Sequence, residues 1–321
     1  MKNDSKKNLN LIIPDTYAHM RLDQALAKLL PDYSRTQIQE WIEMGSILVN
    51  GMPMKAKTKL KGGETVSIDV IEKPQPTWEA QAIPLTIVYE DDALLVINKP
   101  PGLVVHPGAG NANHTLLNAL LYHAADLQLL PRAGILHRLD KDTSGLLVIA
   151  KTAASLKDLS QQLKKRTLVR EYQAIIYGQL ISGGRIDAPI DRHPLQRKRM
   201  AVVETGKPAV THYRIMEKYR AHTRLKVRLE TGRTHQIRVH LSHIHHPLVG
   251  DITYGGRVQL TKGMSSELIQ SLRHFKRQAL HACALGFSHP VTNEWMQFEI
   301  DLPEDMTQLI AELRKDAKEN P

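Results

Sequence analysis

The chain of 321 residues holds a single cysteine, Cys283. One thiol excludes a disulfide within the chain and a zinc site built on several cysteines. No stretch approaches the roughly 20 apolar residues that a membrane-crossing helix needs, so no membrane partner is expected. The first residues, Met1 to Asn10, are polar and lysine-bearing with no apolar run behind them, unlike a secretory signal. A cytoplasmic setting is therefore the expectation. No self-similarity occurs at the period of solenoids or propellers. His235, His240, His243, His245 and His246 crowd together, but no H-E-x-x-H pattern is present, and His235 and His240 diverge on a helix. Surface or RNA-facing histidines, with no metal, are the expectation.

What is present fits a globular chain of about two domains: 42% of residues are hydrophobic and 24% charged. The net charge is +10, from 43 Lys and Arg against 33 Asp and Glu, which favours a polyanionic partner. Thirteen Lys or Arg fall between Arg192 and Arg238, among them Arg197 and Lys198. Arg224, Lys226 and Arg228 alternate with Leu225, Val227 and Leu229, so a strand here has one basic and one apolar face. A basic stripe of this kind can track an RNA backbone.

Residues 1–19 read as a flexible N-terminal arm, 20–70 as a small module, 71–83 as a linker containing Pro74 and Pro76, and 84–321 as a larger domain. In the module, Leu22, Leu26, Leu29 and Leu30 recur at helical spacing before Pro31, and Ser34 is placed to cap a second helix carrying Ile38, Trp41 and Ile42. Asn50-Gly51 marks a tight turn. Lys55, Lys57, Lys59 and Lys61 alternate beyond it, as a solvated edge or as a phosphate-tracking strip. Strands are expected over 94–97, 146–149, 171–177, 210–215 and 225–229, and helices over 116–127, 156–165 and 235–244. The fold class is α+β: a mixed, largely antiparallel sheet with flanking helices and a central cleft, plus the small N-terminal α/β module.

Two near-motifs fail on inspection. Gly108 to Asn113 approaches G-x-G-x-x-G, but Asn113 replaces the third glycine, leaving a glycine-rich turn. Asp140 to Gly145 opens like a calcium loop, yet Lys151 stands where a bidentate Glu is required. The stretch GILHRLDKDTSG, residues 134–145, is the strongest signal: read alone, it is a strand ending in Asp140, a turn with Arg138 and Lys141 beside the carboxylate, and a second strand from Leu146.

Set beside INKPPGLVVHPG upstream and REYQAI and LETGRTHQIRVHLSHIHHPLVGD downstream, HRLDKDTSG resembles the RluA-type pseudouridine synthases, over about residues 20–315. RLDQALAKLLPDYSRTQIQEWIEMGSILVNG is similar to the S4 RNA-binding domain, in which Arg35 and Gln39 would lie on the exposed side of the second helix. The resemblance implies that Asp140 is the catalytic carboxylate, Arg238 the guanidinium beside it, and Tyr172 a ring that stacks on the pyrimidine or assists proton removal. Without the resemblance, Tyr172 reads as a core tyrosine and Arg238 as a surface cation. The resemblance also gives Arg138 a part in evicting the target base, and Arg233 is assigned a phosphate contact. It implies 23S ribosomal RNA, or the large ribosomal subunit, as partner, with uridines in the loop of helix 69 as targets. Because the isomerisation involves no redox step and no net hydrolysis, no cofactor or metal is implied. Whether Asp140 attacks C1′, deprotonates C2′ or adds to C6 stays open. The alternatives are a related synthase with other 23S targets, a non-catalytic RNA-binding assembly factor, and a metal-dependent nuclease built on the histidines.

Overall fold

The computed structural model describes residues 7–31, 33, 35–70, 78–108, 110–196 and 199–319. Ser34, Arg197, Lys198, Pro74 and Pro76, with most of the expected linker, lie outside the described residues. The chain divides into two compact units, Met1–Thr77 and Trp78–Pro321.

The first unit runs β1 (Lys7–Ile12), α1 (Leu22–Leu29), α2 (Arg35–Glu43), β2 (Ile47–Val49), β3 (Met52–Pro53) and β4 (Thr65–Val70). The strands form a four-stranded sheet in the order β1-β4-β2-β3. Helix α1 buries Leu22, Ala25 and Leu26 against Ile38, Trp41 and Ile42 of α2, as the helical spacing requires. Asn50 and Gly51 both take positive φ, 52° and 78°, and reverse the chain into β3. The expected loose arm is corrected: Lys7–Ile12 pairs antiparallel with β4 in register Leu9↔Ile68 and Leu11↔Val66. Leu9 and Leu11 pack on the same core, and that apolar alternation explains the pairing. The lysine segment is not a strand either. A turn closed by Thr58 N–H to Lys55 C=O, 2.9 Å, interrupts it. Lys55, Lys57 and Lys59 are nonetheless exposed, while Leu60 is buried.

The second unit continues β5 (Thr86–Glu90), β6 (Leu94–Lys99), α3 (Leu116–His123), β7 (Ser144–Ala150), α4 (Ala153–Lys165), β8 (Val169–Tyr177), β9 (Gly184–Asp187), β10 (Ile190–Arg192), β11 (Met200–Val202), β12 (Val210–Lys218) and β13 (His222–Leu229). Then come α5 (Gln236–His243), α6 (Ser266–His274), β14 (Leu280–Ser288), β15 (Trp295–Glu299) and α7 (Glu304–Glu319). A nine-stranded sheet runs β5-β6-β7-β14-β8-β13-β12-β9, with β15 beside β14. β14 pairs parallel with β7; the other pairs given for this sheet are antiparallel, so the sheet is mixed and largely antiparallel, as expected.

Helices cover both faces. On one face, α3, α5 and residues 130–139 close over Ile97, Leu147, Ala174 and Val227. On the other, α4 packs at one end and α6 with α7 at the other. Tyr172 lies opposite Val227 and belongs to the first face, whereas Lys226 lies opposite Gln173 and points to the second. The basic stripe of β13 is thus on the sheet face away from α5.

One expectation near Asp140 fails. No strand precedes the turn; residues 136–143 are irregular, and a single bridge, Ile135↔Ile149, ties the approach to β7. Gly134 sits at φ 75° where a Cβ would overlap the Ala150 carbonyl, so only glycine lets the chain approach β7 this closely before it leaves the ladder.

Candidate active site

Asp140 is fixed from both sides. Leu139 is buried in the main core, and Nε2 of His137 accepts the Val148 N–H of β7 at 3.2 Å. Burial drives the His137 imidazole down to about 3, which keeps that acceptor neutral. Beyond Asp140, the Lys141 carbonyl accepts Gly102 N–H at 2.9 Å and the Lys99 ammonium at 2.9 Å. Lys99 is fully buried and donates also to the carbonyls of Pro100, 2.7 Å, and Leu103, 3.0 Å. Burial pulls its pKa to about 7, against the attraction of Asp142 and Asp140, while three carbonyls take up all the N–H bonds of the charged form. Gln278 donates to Thr143 Oγ1 at 2.9 Å. At Gly145 a Cβ would strike the backbone of Ala282, so glycine lets β7 and β14 close on each other just past the loop.

Alternation along 137–140 turns His137 and Leu139 inward and Arg138 and Asp140 outward. Both outward residues line a cavity of about 370 Å³, together with His106, Gly108, His235 and Arg238. That volume falls in the range of small-molecule sites.

Arg238 reaches the cavity from α5, whose Ile237 and Leu241 pack on the core. Its Nη1 donates to Asp140 Oδ2 at 3.1 Å. Its Nε and Nη2 hold both oxygens of Asp251, at 2.7 and 3.0 Å. Asp251 Oδ1 accepts the N–H groups of Thr253 and Tyr254 as well, at 3.0 and 3.1 Å, so that carboxylate is fully occupied. Burial works against the Arg238 charge, but the two carboxylates outweigh it and lift its pKa above the ordinary value. The guanidinium also lies over the Tyr254 ring, 5.0 Å from its centre.

The other expected positions separate. Tyr172 is 5% exposed within the core and is not a cavity-lining side chain. Burial raises its hydroxyl pKa; Arg170 opposes and the Asp140 charge adds to the rise, so the ring stands close enough to feel that carboxylate. Arg138 is exposed at the cavity mouth. Arg233 is exposed, with Nε on the Pro208 carbonyl at 3.1 Å. Arg224 donates to Gln173 at 2.6 Å and stands 3.8 Å from Glu217, and Lys226 pairs with Glu171 at 2.7 Å, so the acids of the back face neutralise much of the expected stripe. Arg35 and Gln39 are not free on the surface of α2: both donate to buried Asp23, at 2.7 and 2.6 Å. His240 is fully buried against Thr211 and the Ala188 carbonyl, not on the surface.

Asp251, Tyr254, His235 and Lys99 are the site members that residue-level reasoning passed over. All four lie inside or beside the strings quoted above, but their meeting at Asp140 is tertiary.

The comparisons agree on the class. Residues 93–243 match the family model described as RNA pseudouridylate synthase, and residues 20–66 match the S4 domain. The human RNA pseudouridylate synthase domain containing 4 superposes with a TM-score of 0.55 at 26% identity, over 71% of this chain and 93% of that one. The chain belongs to the RNA pseudouridylate synthase family and is an isomerase. Among curated relatives it is 54% identical to ribosomal large subunit pseudouridine synthase D of Yersinia pestis, over 97% of this chain and 96% of the relative. The protein of the same name from Pasteurella multocida is 56% identical, over 92% of each chain.

Proposed function

We propose that this chain converts specific uridines of 23S ribosomal RNA, in the loop of helix 69, to pseudouridine, with Asp140 as the reacting carboxylate. The reaction breaks the N1–C1′ bond, turns the base, joins C5 to C1′, releases the C5 hydrogen as a proton and leaves a proton on N1. Each way of opening that bond requires a carboxylate oxygen delivered to a nucleoside turned out of its stack. One observation carries the assignment: Asp140 holds one oxygen on Arg238 and presents the other to a cavity shared with Arg138. The names of the curated relatives support the ribosomal substrate.

Tyr172 acts from the core behind Asp140, Arg138 fills the gap left by the everted base, and Arg233 meets a phosphate. Residues 20–70 serve as the RNA-binding module through Lys55, Lys57 and Lys59, with Arg35 contributing its exposed part. Residues 71–83 connect it to the catalytic domain, 84–321. On the back face, Arg228 has no ion pair among the described residues, whereas Arg224 and Lys226 are engaged. The large ribosomal subunit is the partner and the cytoplasm the setting.

Pseudouridine mapping of ribosomal RNA from cells with and without the gene tests the proposal. Loss of modification confined to large-subunit uridines, restored by the wild-type gene and not by Asp140→Asn, is the expected result. An unchanged map refutes the substrate, and restoration by Asp140→Asn refutes the residue.

A further inference from the structure

His235 occupies a position that its backbone does not favour. It is the residue just before α5, in the left-handed region at φ 56° and ψ 22°, and its side chain makes no capping bond to the helix. A non-glycine residue held there costs on the order of 1 kcal/mol. Gln236 does the local work instead, accepting from Arg233 N–H and Thr231 Oγ1. The imidazole of His235 is thereby free to face elsewhere, and it turns to Tyr254 and Asp140.

The hydrogen bonds around Tyr254 suit one tautomer of His235. Its hydroxyl oxygen accepts the Met200 N–H at 3.0 Å, and the same oxygen lies 2.8 Å from His235 Nδ1. With the backbone donating to one lone pair of that oxygen, the hydroxyl proton is available to Nδ1, an arrangement in which Nδ1 is the bare nitrogen. The ring proton then sits on Nε2, and Nε2 is 3.8 Å from Asp140 Oδ1. The other oxygen, Oδ2, is held by Arg238 at 3.1 Å. The two oxygens of one carboxylate therefore face different donors, a guanidinium cation and an N–H.

We propose that His235 is a positioning residue for Asp140: its neutral Nε2–H closes on Oδ1 in the reacting complex, orients it in the cavity and stabilises its negative charge when the carboxylate is released. The proposal rests on Asp140 being the reacting group. A neutral donor suits the role because a cation on each oxygen would hold both lone pairs and suppress the reactivity of the group. Burial keeps His235 below its ordinary pKa; Asp140 and Asp251 pull it up, and Arg238 and Arg138 push it further down. At neutral pH the ring is uncharged.

The test compares wild type with His235→Ala, His235→Gln, Tyr254→Phe and Asp140→Asn in a single-turnover assay. It follows tritium release from C5-labelled uridine in a transcript of large-subunit ribosomal RNA, beside filter binding of the same RNA. Losing a donor that stands 3.8 Å from the charged oxygen in the free protein and closes on it in the reacting complex corresponds to roughly a 10- to 100-fold slower chemical step in His235→Ala, with RNA affinity changed less than about threefold. His235→Gln, which keeps an N–H near Nε2 and does not titrate, returns to within about fivefold of wild type. Tyr254→Phe keeps its ring under Arg238 but frees the tautomer, slowing the step roughly threefold to tenfold. Wild type loses rate as pH falls through the imidazole pKa, below 6.5. His235→Gln keeps its rate to lower pH, until Asp140 itself takes a proton.

A wild-type rate in His235→Ala, or the wild-type acid limb in His235→Gln, overturns the proposal. Should His235→Ala melt too early to assay, the Gln and Phe variants decide by the same criteria. An inactive Asp140→Asn beside a fully active His235→Ala removes only the part given to His235. An active Asp140→Asn removes the catalytic assignment and this one with it.

Discussion

Asp23 in the first unit and Asp140 in the second are both carboxylates met by arginine, and they end in opposite chemical conditions. Asp23 is fully buried and accepts from Arg21, Arg35 and Gln39. Burial alone would raise its pKa, but those hydrogen bonds hold it below the ordinary value, and both oxygens have fixed donors. Asp140 keeps part of its surface and takes one strong bond, from Arg238. Asp251 accepts the remaining nitrogens of that guanidinium, which stops Arg238 from closing on both oxygens of Asp140. A saturated carboxylate is a structural part; one with a free oxygen at a cavity is available for reaction. The number of fixed donors separates the two roles, and the presence of arginine does not.

The largest expected effect is the loss of turnover in Asp140→Asn, at least about a thousandfold, with RNA binding retained. The matching Asp23→Asn change should leave the single-turnover rate at saturating RNA untouched while lowering the melting temperature. If Asp23→Asn stops the chemistry in a folded protein, the distinction between the two carboxylates is lost. Next comes Asp251→Asn, which leaves a buried guanidinium half-paired. A cost of about 3 kcal/mol in denaturant unfolding is expected, with a slower chemical step as Arg238 becomes free to clamp Asp140. Unchanged stability and rate would remove Asp251 from the account.

Lys99→Met takes the ammonium from the carbonyls of Pro100 and Leu103 and leaves that of Lys141, on the Asp140 loop, with Gly102 N–H alone; it should cost about 2 kcal/mol in the same measurement. Acid titration tests the two units against each other. His137, His222 and His281, all in the second unit, are pushed by burial from 6.5 to about 3, 4 and 4. Their unfolded forms take up protons first, so the second unit loses stability as pH falls from about 6.5 toward 4. Asp23 has a lowered pKa, so its contribution is present above 3.8 and disappears only as pH falls below that. Thermal melts followed by hydrogen exchange should show the second unit weakening first; the reverse order would contradict the assigned shifts.

Much of this could be read from the residues because it is local. The helical spacing of Leu22 to Leu29, the Asn50-Gly51 turn and the alternation along β13 are short-range patterns, and each element formed. β14 escaped because it carries no alternation: Leu280 to Leu285 are buried on both faces, and Ala282, Cys283 and Ala284 are small where neighbouring backbones press close. The hairpin expected before Asp140 is reduced to the single bridge Ile135↔Ile149, beside a close approach of Gly134 to Ala150 that no local pattern signals. Arg238 beside Asp140 was expected through family likeness, whereas Asp251 and His235 needed the fold. The basic stripe shows the converse limit: its alternation was legible, but which face of the sheet it would take, and which acids it would meet there, was not.

The most direct test of the central claim is a structure of the protein bound to a large-subunit RNA fragment whose target uridine is replaced by an analogue unable to lose its C5 substituent. The account predicts the everted nucleoside in the cavity of Asp140 and Arg138, with Oδ1 against the sugar or base and Oδ2 still on Arg238. A nucleoside bound elsewhere, or Oδ1 turned away from it with both oxygens on Arg238, would contradict the account.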